Sequence, residues 1–181
     1  MERLPYRATV QASAYEGILA LPVTVLLDNV RSLYNVGAFF RAADGAAVEK
    51  LCLCGITGRP PNKAITKTAL GAEETVPWDY AWEPVPVVED LRARGYEIAA
   101  IETTAASVDL FDWQPNFPIC LLFGHEVDGL RPELAGMADR HVRLPMLGTK
   151  HSLNVATAGG IVIYELLRKY RRLKESERMI V

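Results

Sequence analysis

The 181-residue chain alternates two kinds of block: short continuous apolar runs, and longer stretches in which apolar positions recur every three or four residues. The runs at 22–29, 51–56, 96–103, 119–124 and 141–146 predict buried strands, the last stopped by Pro145. Helical spacing predicts a helix over 35–47, with Val36, Phe39, Phe40 and Ala43 on its apolar side and Asn35 as its N-cap. A short helix is expected over 63–70, stopped by Gly71. Another is expected over 86–94, with proline near its start and Gly95 after its end, and another over 131–138. A long helix follows from 152 to about 172, opened by Ser152. The aromatic segment 75–82 fits either a strand or an irregular loop, and 58–62 and 112–118 read as loops by their Gly and Pro content.

Strands alternating with helices predict an α/β fold, a mostly parallel sheet with helices on both faces. Ligands in such sheets sit at the carboxyl ends of the strands, so the informative residues should lie just after them. One domain is expected, with residues 1–20 as an N-terminal extension and the core spanning about 22–170.

Composition narrows the class. Half the residues are hydrophobic and 23% are charged, enough apolar material for a sizeable core and too much for a disordered chain. The apolar runs are strand-sized, far short of the roughly 20 residues of a membrane span, and the N-terminus lacks the apolar stretch of a secretion signal. Cys52, Cys54 and Cys120 lie in apolar runs and read as small core residues of a protein kept in a reducing compartment, so a cytoplasmic location is expected. Their spacing and the three histidines supply no zinc set, and no metal is expected. The net charge of −2 disfavours a uniformly basic nucleic-acid binder, so the distribution matters more. Arg168, Lys169, Arg171, Arg172 and Lys174 form one basic cluster, which a solvated helix face explains as well as RNA contact does. Arg31, Arg41, Arg59, Lys63 and Lys67 form a second.

Three segments put glycine or polar residues directly after apolar strands: LLDNVRSLYNVGAFFRAAD (26–44), LLFGHEVDGL (121–130) and LPMLGTKHSLNVATAGGIVIYE (144–165). None contains a Walker phosphate loop or a GxGxxG dinucleotide fingerprint. In the first, Arg41 follows two phenylalanines in an apolar helix, so partial burial is expected, with a carboxylate or phosphate as its partner; a structural ion pair is the plainer alternative to chemistry. In the second, Gly124 would let a ligand approach the backbone, and Glu126 could partner Arg41 or cap the next helix. In the third, a helix N-terminus follows a small polar loop, and Gly159 and Gly160 inside the helix call for close packing against another element or subunit.

Order and spacing make these segments specific. They resemble the three signature motifs of the SpoU (TrmH-like) branch of the SPOUT methyltransferases. N-x-G-x-x-x-R-x-A is matched by Asn35, Gly37, Arg41 and Ala43, and apolar-F-G-x-E-x-x-G by Leu122, Phe123, Gly124, Glu126 and Gly129. L-P-M-x-G-x-x-x-S-L-N-V-x-x-A is matched by Leu144, Pro145, Met146, Gly148, Ser152, Leu153, Asn154, Val155 and Ala158. The segment 67–78 also resembles the family's linker, so the likeness covers nearly the whole chain.

The resemblance implies a C-terminal deep trefoil knot around 120–160, a rare exception to the rule against knots. It implies S-adenosylmethionine as cofactor, bound in the knot by Thr103, Gly124, Leu144, Met146 and Leu153. It implies Arg41 as the catalytic residue, with Asn35, Glu126, Ser152 and Asn154 orienting it and the ribose. The implied reaction is methyl transfer to a ribose 2′-hydroxyl of tRNA or rRNA by a homodimer whose site is completed across the interface. With no room for the extra N-terminal RNA-binding domain of many relatives, RNA would be gripped by the catalytic dimer itself. His125 and His151 occupy variable motif positions; a solvent-facing loop histidine is the plainer reading of His125. Two other functions fit less well: methylation of a different acceptor such as a base nitrogen, and a non-catalytic RNA- or cofactor-binding module.

Overall fold

A computed structural model of the chain describes Tyr15 and residues 18–179. Seven strands, β1 (Leu21–Asp28), β2 (Val48–Cys54), β3 (Trp78–Ala81), β4 (Glu97–Ile101), β5 (Val108–Asp109), β6 (Ile119–Phe123) and β7 (Arg140–Arg143), form one sheet in the order β3-β2-β1-β6-β4-β7-β5. Every pairing is parallel. Among the described residues the α-helices are α1 (Leu33–Gly45), α2 (Lys63–Ala69), α3 (Val85–Ala93), α4 (Pro132–Met137) and α5 (Val155–Met179).

The expected layering is present. Val25, Leu27, Leu53, Leu121 and Phe123 project to one side of the sheet and pack with Val36, Phe39, Phe40 and Ala43 of α1 and Val162, Ile163 and Leu166 of α5. Leu26, Cys52, Cys54, Ile98, Cys120 and Leu122 project to the other and meet Val88 and Leu91 of α3 and Leu134 of α4. Adjacent residues of one strand thus feed different cores, which is why these strands read as unbroken apolar runs. The cysteines are free and buried, and burial raises Cys52 to about 11 and Cys54 to about 12, so both stay protonated thiols at neutral pH.

Several boundaries differ from the sequence expectation. Asn35 lies inside α1; the N-cap is Ser32, whose Oγ accepts from the Asn35 amide. The long helix starts at Val155, because Asn154 Oδ1 accepts from the Ala156 and Thr157 amides at 3.0 and 3.2 Å and caps it, two residues after the expected Ser152. The aromatic segment holds a strand at its centre, paired to β2 through Cys54 and Ala81. The two-residue β5 and a 3-10 turn at Ala72–Glu74 had no periodic signal to announce them. Most of the N-terminal extension expected over 1–20 lies outside the described residues. Among the described residues no helix is long and apolar enough to cross a membrane, and no cluster of three or more His, Cys, Asp or Glu residues could hold a metal ion.

The glycines of the helices divide by role. A Cβ on Gly159 would overlap the Phe39 ring, so this glycine lets α5 lie against α1 within the chain. A Cβ on Gly37 would overlap Thr68 Oγ1 and the Ile65 carbonyl, bringing α1 and α2 together. Gly160 meets nothing within 4 Å.

Candidate active site

At the carboxyl ends of β4, β6 and β7 the loops 124–131 and 144–154 face each other over a cleft of about 470 Å³. Its walls include Thr103, Gly124, Leu144, Met146 and Leu153, the five residues that the resemblance implied for the cofactor, together with Glu126, Ser152 and Asn154. The volume lies in the roughly 300–1,000 Å³ range of small-molecule sites.

The loop 124–131 is internally braced. His125 and Gly129 exchange two backbone hydrogen bonds of 3.0 Å each, and Gly129 adopts a φ of +73° that favours glycine. A Cβ on Gly124 would run into the Gly129 carbonyl and the Leu130 amide, so this glycine is required by the loop's own crossing. The His125 side chain is turned inward rather than to solvent, as the sequence had suggested: Nδ1 accepts from the Val127 and Asp128 amides at 3.2 and 3.1 Å. Two acids fasten the far end. Glu102 Oε2 accepts from the Leu130 amide at 3.1 Å, and Asp28, 1% exposed at the tip of β1, accepts from Arg131 Nε and Nη2 at 2.8 and 2.6 Å.

Glu126 joins this loop to α1. Its carboxylate accepts from the amides of Arg31 and Ser32 at 3.0 and 2.9 Å and from Asn35 Nδ2 at 3.0 Å. It therefore braces the start of the helix preceding it in the chain; it neither pairs with Arg41 nor caps the helix that follows. Partial burial opposes its ionisation, but the surrounding amides and Asn35 outweigh burial and hold the carboxyl below its ordinary pKa. Asn35 Oδ1 in turn accepts from Asn154 Nδ2 at 3.1 Å. One residue from each of the three motifs thus forms a continuous polar chain, closed across sequence separations of 91 and 119 residues.

Arg41 departs from expectation. It is exposed, and among the described residues it has no carboxylate partner. It follows Phe39 by two positions, a rotation of about 200°, which carries it to the opposite face of α1. There it lies in a shallow depression with Ala38, Ala42, Lys67, Thr68 and Tyr164, apart from the cleft residues of its own chain. Ser152 is exposed at the cleft wall. Sequence reasoning missed Glu102, Arg143 and Asp128 in the wall; each follows or ends a strand or turn, the position where polar residues deserved weight.

Comparison with known proteins gives this arrangement its relatives. The model of the SpoU rRNA Methylase family matches residues 22–164. The chain belongs to that family. It is 31% identical over 85% of its length to a 23S rRNA (guanosine-2′-O-)-methyltransferase RlmB of Ralstonia nicotianae, 61% of which it covers. It is 31% identical over 80% of its length to the tRNA (guanosine(18)-2′-O)-methyltransferase of Aquifex aeolicus, 68% of which it covers. Among solved family structures, the AdoMet-bound rRNA methyltransferase of Sinorhizobium meliloti superposes with a TM-score of 0.76 at 33% identity, over 81% of this chain and 56% of that one. The Aquifex aeolicus TrmH/SpoU tRNA modifying enzyme superposes with a TM-score of 0.77 at 28% identity, over 85% and 78%. The chain thus spans about three-fifths of the first matched curated relative.

Proposed function

We propose that this protein transfers a methyl group from S-adenosylmethionine to a ribose 2′-hydroxyl of tRNA or rRNA. The observation that carries the reading is the polar chain Glu126–Asn35–Asn154 at the rim of a cleft walled by Thr103, Gly124, Leu144, Met146 and Leu153. Family membership and relatives named as 2′-O-methyltransferases of rRNA and tRNA support the same reaction.

The cleft suits the cofactor chemically. Ile101, Leu144, Met146 and Leu153 offer apolar surface for a base, and Glu102, Arg143 and Ser152 offer polar groups for an amino-acid tail and ribose hydroxyls. When bound there, S-adenosylmethionine supplies an already activated methyl group. The protein's task is then alignment and acceptance of one proton. Glu126 and Asn154 hold the start of α1, and with it Asn35, against the cleft rim. Arg41 would act on the 2′-hydroxyl. A guanidinium is ordinarily a cation and so a weak base; as the cation Arg41 stabilises the forming alkoxide while water takes the proton, and where a substrate phosphate favours the neutral guanidine Arg41 takes the proton itself.

Because Arg41 stands apart from its own cleft, we infer a homodimer in which the Arg41 of one protomer serves the cleft of the other. Exposed Tyr164 beside Arg41, exposed Tyr34 on α1 and Ile161 on α5, and the open space beside Gly160, leave apolar surface for such contact. We also infer that the segment around 120–160 is threaded as the trefoil knot of the family, in one catalytic domain, and that the enzyme works in the cytoplasm. The free buried thiols agree with that compartment.

The decisive experiment incubates the purified protein with bulk tRNA and rRNA and methyl-labelled S-adenosylmethionine, followed by nucleoside mass spectrometry. A new 2′-O-methylnucleoside is expected. Label found only on a base, or none above background, would overturn the assignment.

A further inference from the structure

The chain exits after β2 and β3 form a rim that carries exposed apolar side chains. These strands are paired in parallel up to Cys54 and Ala81, and the Gly55 amide donates to the Ala81 carbonyl at 3.2 Å. The two chains therefore leave the sheet side by side. The next residues outward are Ile56, 56% exposed, and Trp82, 61% exposed. Exposed side chains of this size on neighbouring exits form an apolar platform where a folded domain would ordinarily present polar residues.

Cations frame it. The Arg59 guanidinium lies 3.9 Å from the centroid of the Tyr80 ring, and Tyr80 Oη is fixed by donating to the Gly55 carbonyl at 3.0 Å. Lys63 follows on the same loop, at the first position of α2, and Arg31 leaves β1 next to β2. Arg31, Arg59 and Lys63 are exposed, and among the described residues none has a carboxylate partner. Of the nearby acids, Asp28 is paired with Arg131, Asp79 with Lys50 and Glu126 is held by amides and Asn35, while Glu83 lies 3.8 Å from Arg131; the three free cations outnumber what these acids leave over. The rim therefore carries uncompensated positive charge beside exposed aromatic surface. It is continuous with the cleft, since the Arg31 and Ser32 amides hold the Glu126 carboxylate and Arg131 follows Leu130 of the cleft loop.

We propose that this rim binds a single-stranded stretch of RNA, bases stacking on Trp82 and Ile56 while phosphates meet Arg59, Lys63 and Arg31. The inference rests on the RNA-methylation reading and adds where the substrate strand runs beside the target nucleotide. Aromatic stacking with unpaired cations is the recognition mode of unpaired nucleotides, because every base offers a π-face and every linkage a charge. A duplex would hide the faces that Trp82 could use.

The test uses the full chain and a fluorescein-labelled, unstructured RNA of about 12 nucleotides, a length within the site sizes of single-strand binders. Binding is followed by anisotropy and by quenching of tryptophan emission. Trp82→Ala should weaken binding about 5- to 100-fold and abolish most of the quenching, whereas Trp82→Phe should stay within about threefold. S-adenosylhomocysteine affinity, measured by calorimetry, should be unchanged in both and certifies an intact cleft. Equal RNA binding by wild type and a folded Trp82→Ala variant would overturn the proposal, as would a change in oligomeric state on Trp82→Ala, which would mark the rim as a contact between copies. Methyl transfer to bulk RNA by the wild type separates the two ideas. If transfer occurs but the rim variants bind normally, only the platform fails; if the wild type neither transfers nor binds RNA, the reaction assignment fails with it.

Discussion

The two basic clusters look alike in sequence and differ in three dimensions. In α5, carboxylates recur at three- and four-residue spacing from the cations. Glu165 takes both Arg168 and Lys169, Glu175 lies 3.5 Å from Arg171, and Glu177 takes Lys174 at 2.9 Å. Lys169 turns inward to the carbonyls of Leu110, Phe111 and Trp113. Arg31, Arg41, Arg59, Lys63 and Lys67 are instead exposed and lack carboxylates among the described residues, and Arg59 and Lys67 lie over the rings of Tyr80 and Tyr34. Four of the five cations in the first cluster are paired within their own helix and stabilise it; the second cluster leaves a field directed outward. A count of lysines and arginines cannot tell these apart. The positions of the acids can.

The contrast predicts different losses. Arg41→Ala should lower methyl transfer by about a hundredfold or more while S-adenosylmethionine affinity by calorimetry stays within about twofold. Near-normal turnover would remove the strongest functional claim on the outward-facing cluster. Glu165→Gln should act only on the fold. It leaves Arg168 and Lys169 without their shared partner and should cost about 1–3 kcal/mol in chemical denaturation, with RNA affinity unchanged. This effect depends on pH in a fixed sense. The Arg168 hydrogen bond, opposed by burial and aided by the nearby charges, holds the Glu165 carboxyl below its ordinary pKa. Its contribution is therefore complete above the unfolded value of about 4.3 and is lost as pH falls through the depressed native value. Wild type and Glu165→Gln should converge in stability on acidification, and a gap that widens would reverse the sign. A subtler test is the salt slope for single-stranded RNA: Arg59→Ala and Lys63→Ala should each lower the slope of log K against log salt by about 0.7. Smallest of all, Arg172→Ala with Lys174→Ala should change RNA affinity less than about twofold. A large loss there would erase the distinction between the clusters.

Local pattern carried much of the architecture. Unbroken apolar runs announced β1, β2, β4 and β6, and the three motif segments announced the loops that wall the cleft. What escaped was decided by contacts distant in sequence or by competition between neighbouring caps. Asn35 has the right chemistry for an N-cap, but Ser32 reaches the free amide first and Asn35 is recruited by Glu126 and Asn154. Arg41 seemed bound for the interior because two phenylalanines precede it, yet helical rotation turns it away from both. β5 gains its place only by pairing with β7, which no two-residue pattern can signal.

The link between the motifs has a chemical corollary. Asn154 uses its amide oxygen to cap α5 and its nitrogen to reach Asn35; Asn35 uses its oxygen for Asn154 and its nitrogen for Glu126. Each amide thus donates through its nitrogen and accepts through its oxygen, in one direction along the chain. Swapping a single NH2 for an oxygen at either asparagine, as hydrolysis of that amide to aspartate does with almost no change in side-chain size, would set lone pair against lone pair. Chemical ageing at these two amides would therefore unfasten the three motifs from one another while leaving the hydrophobic layers intact.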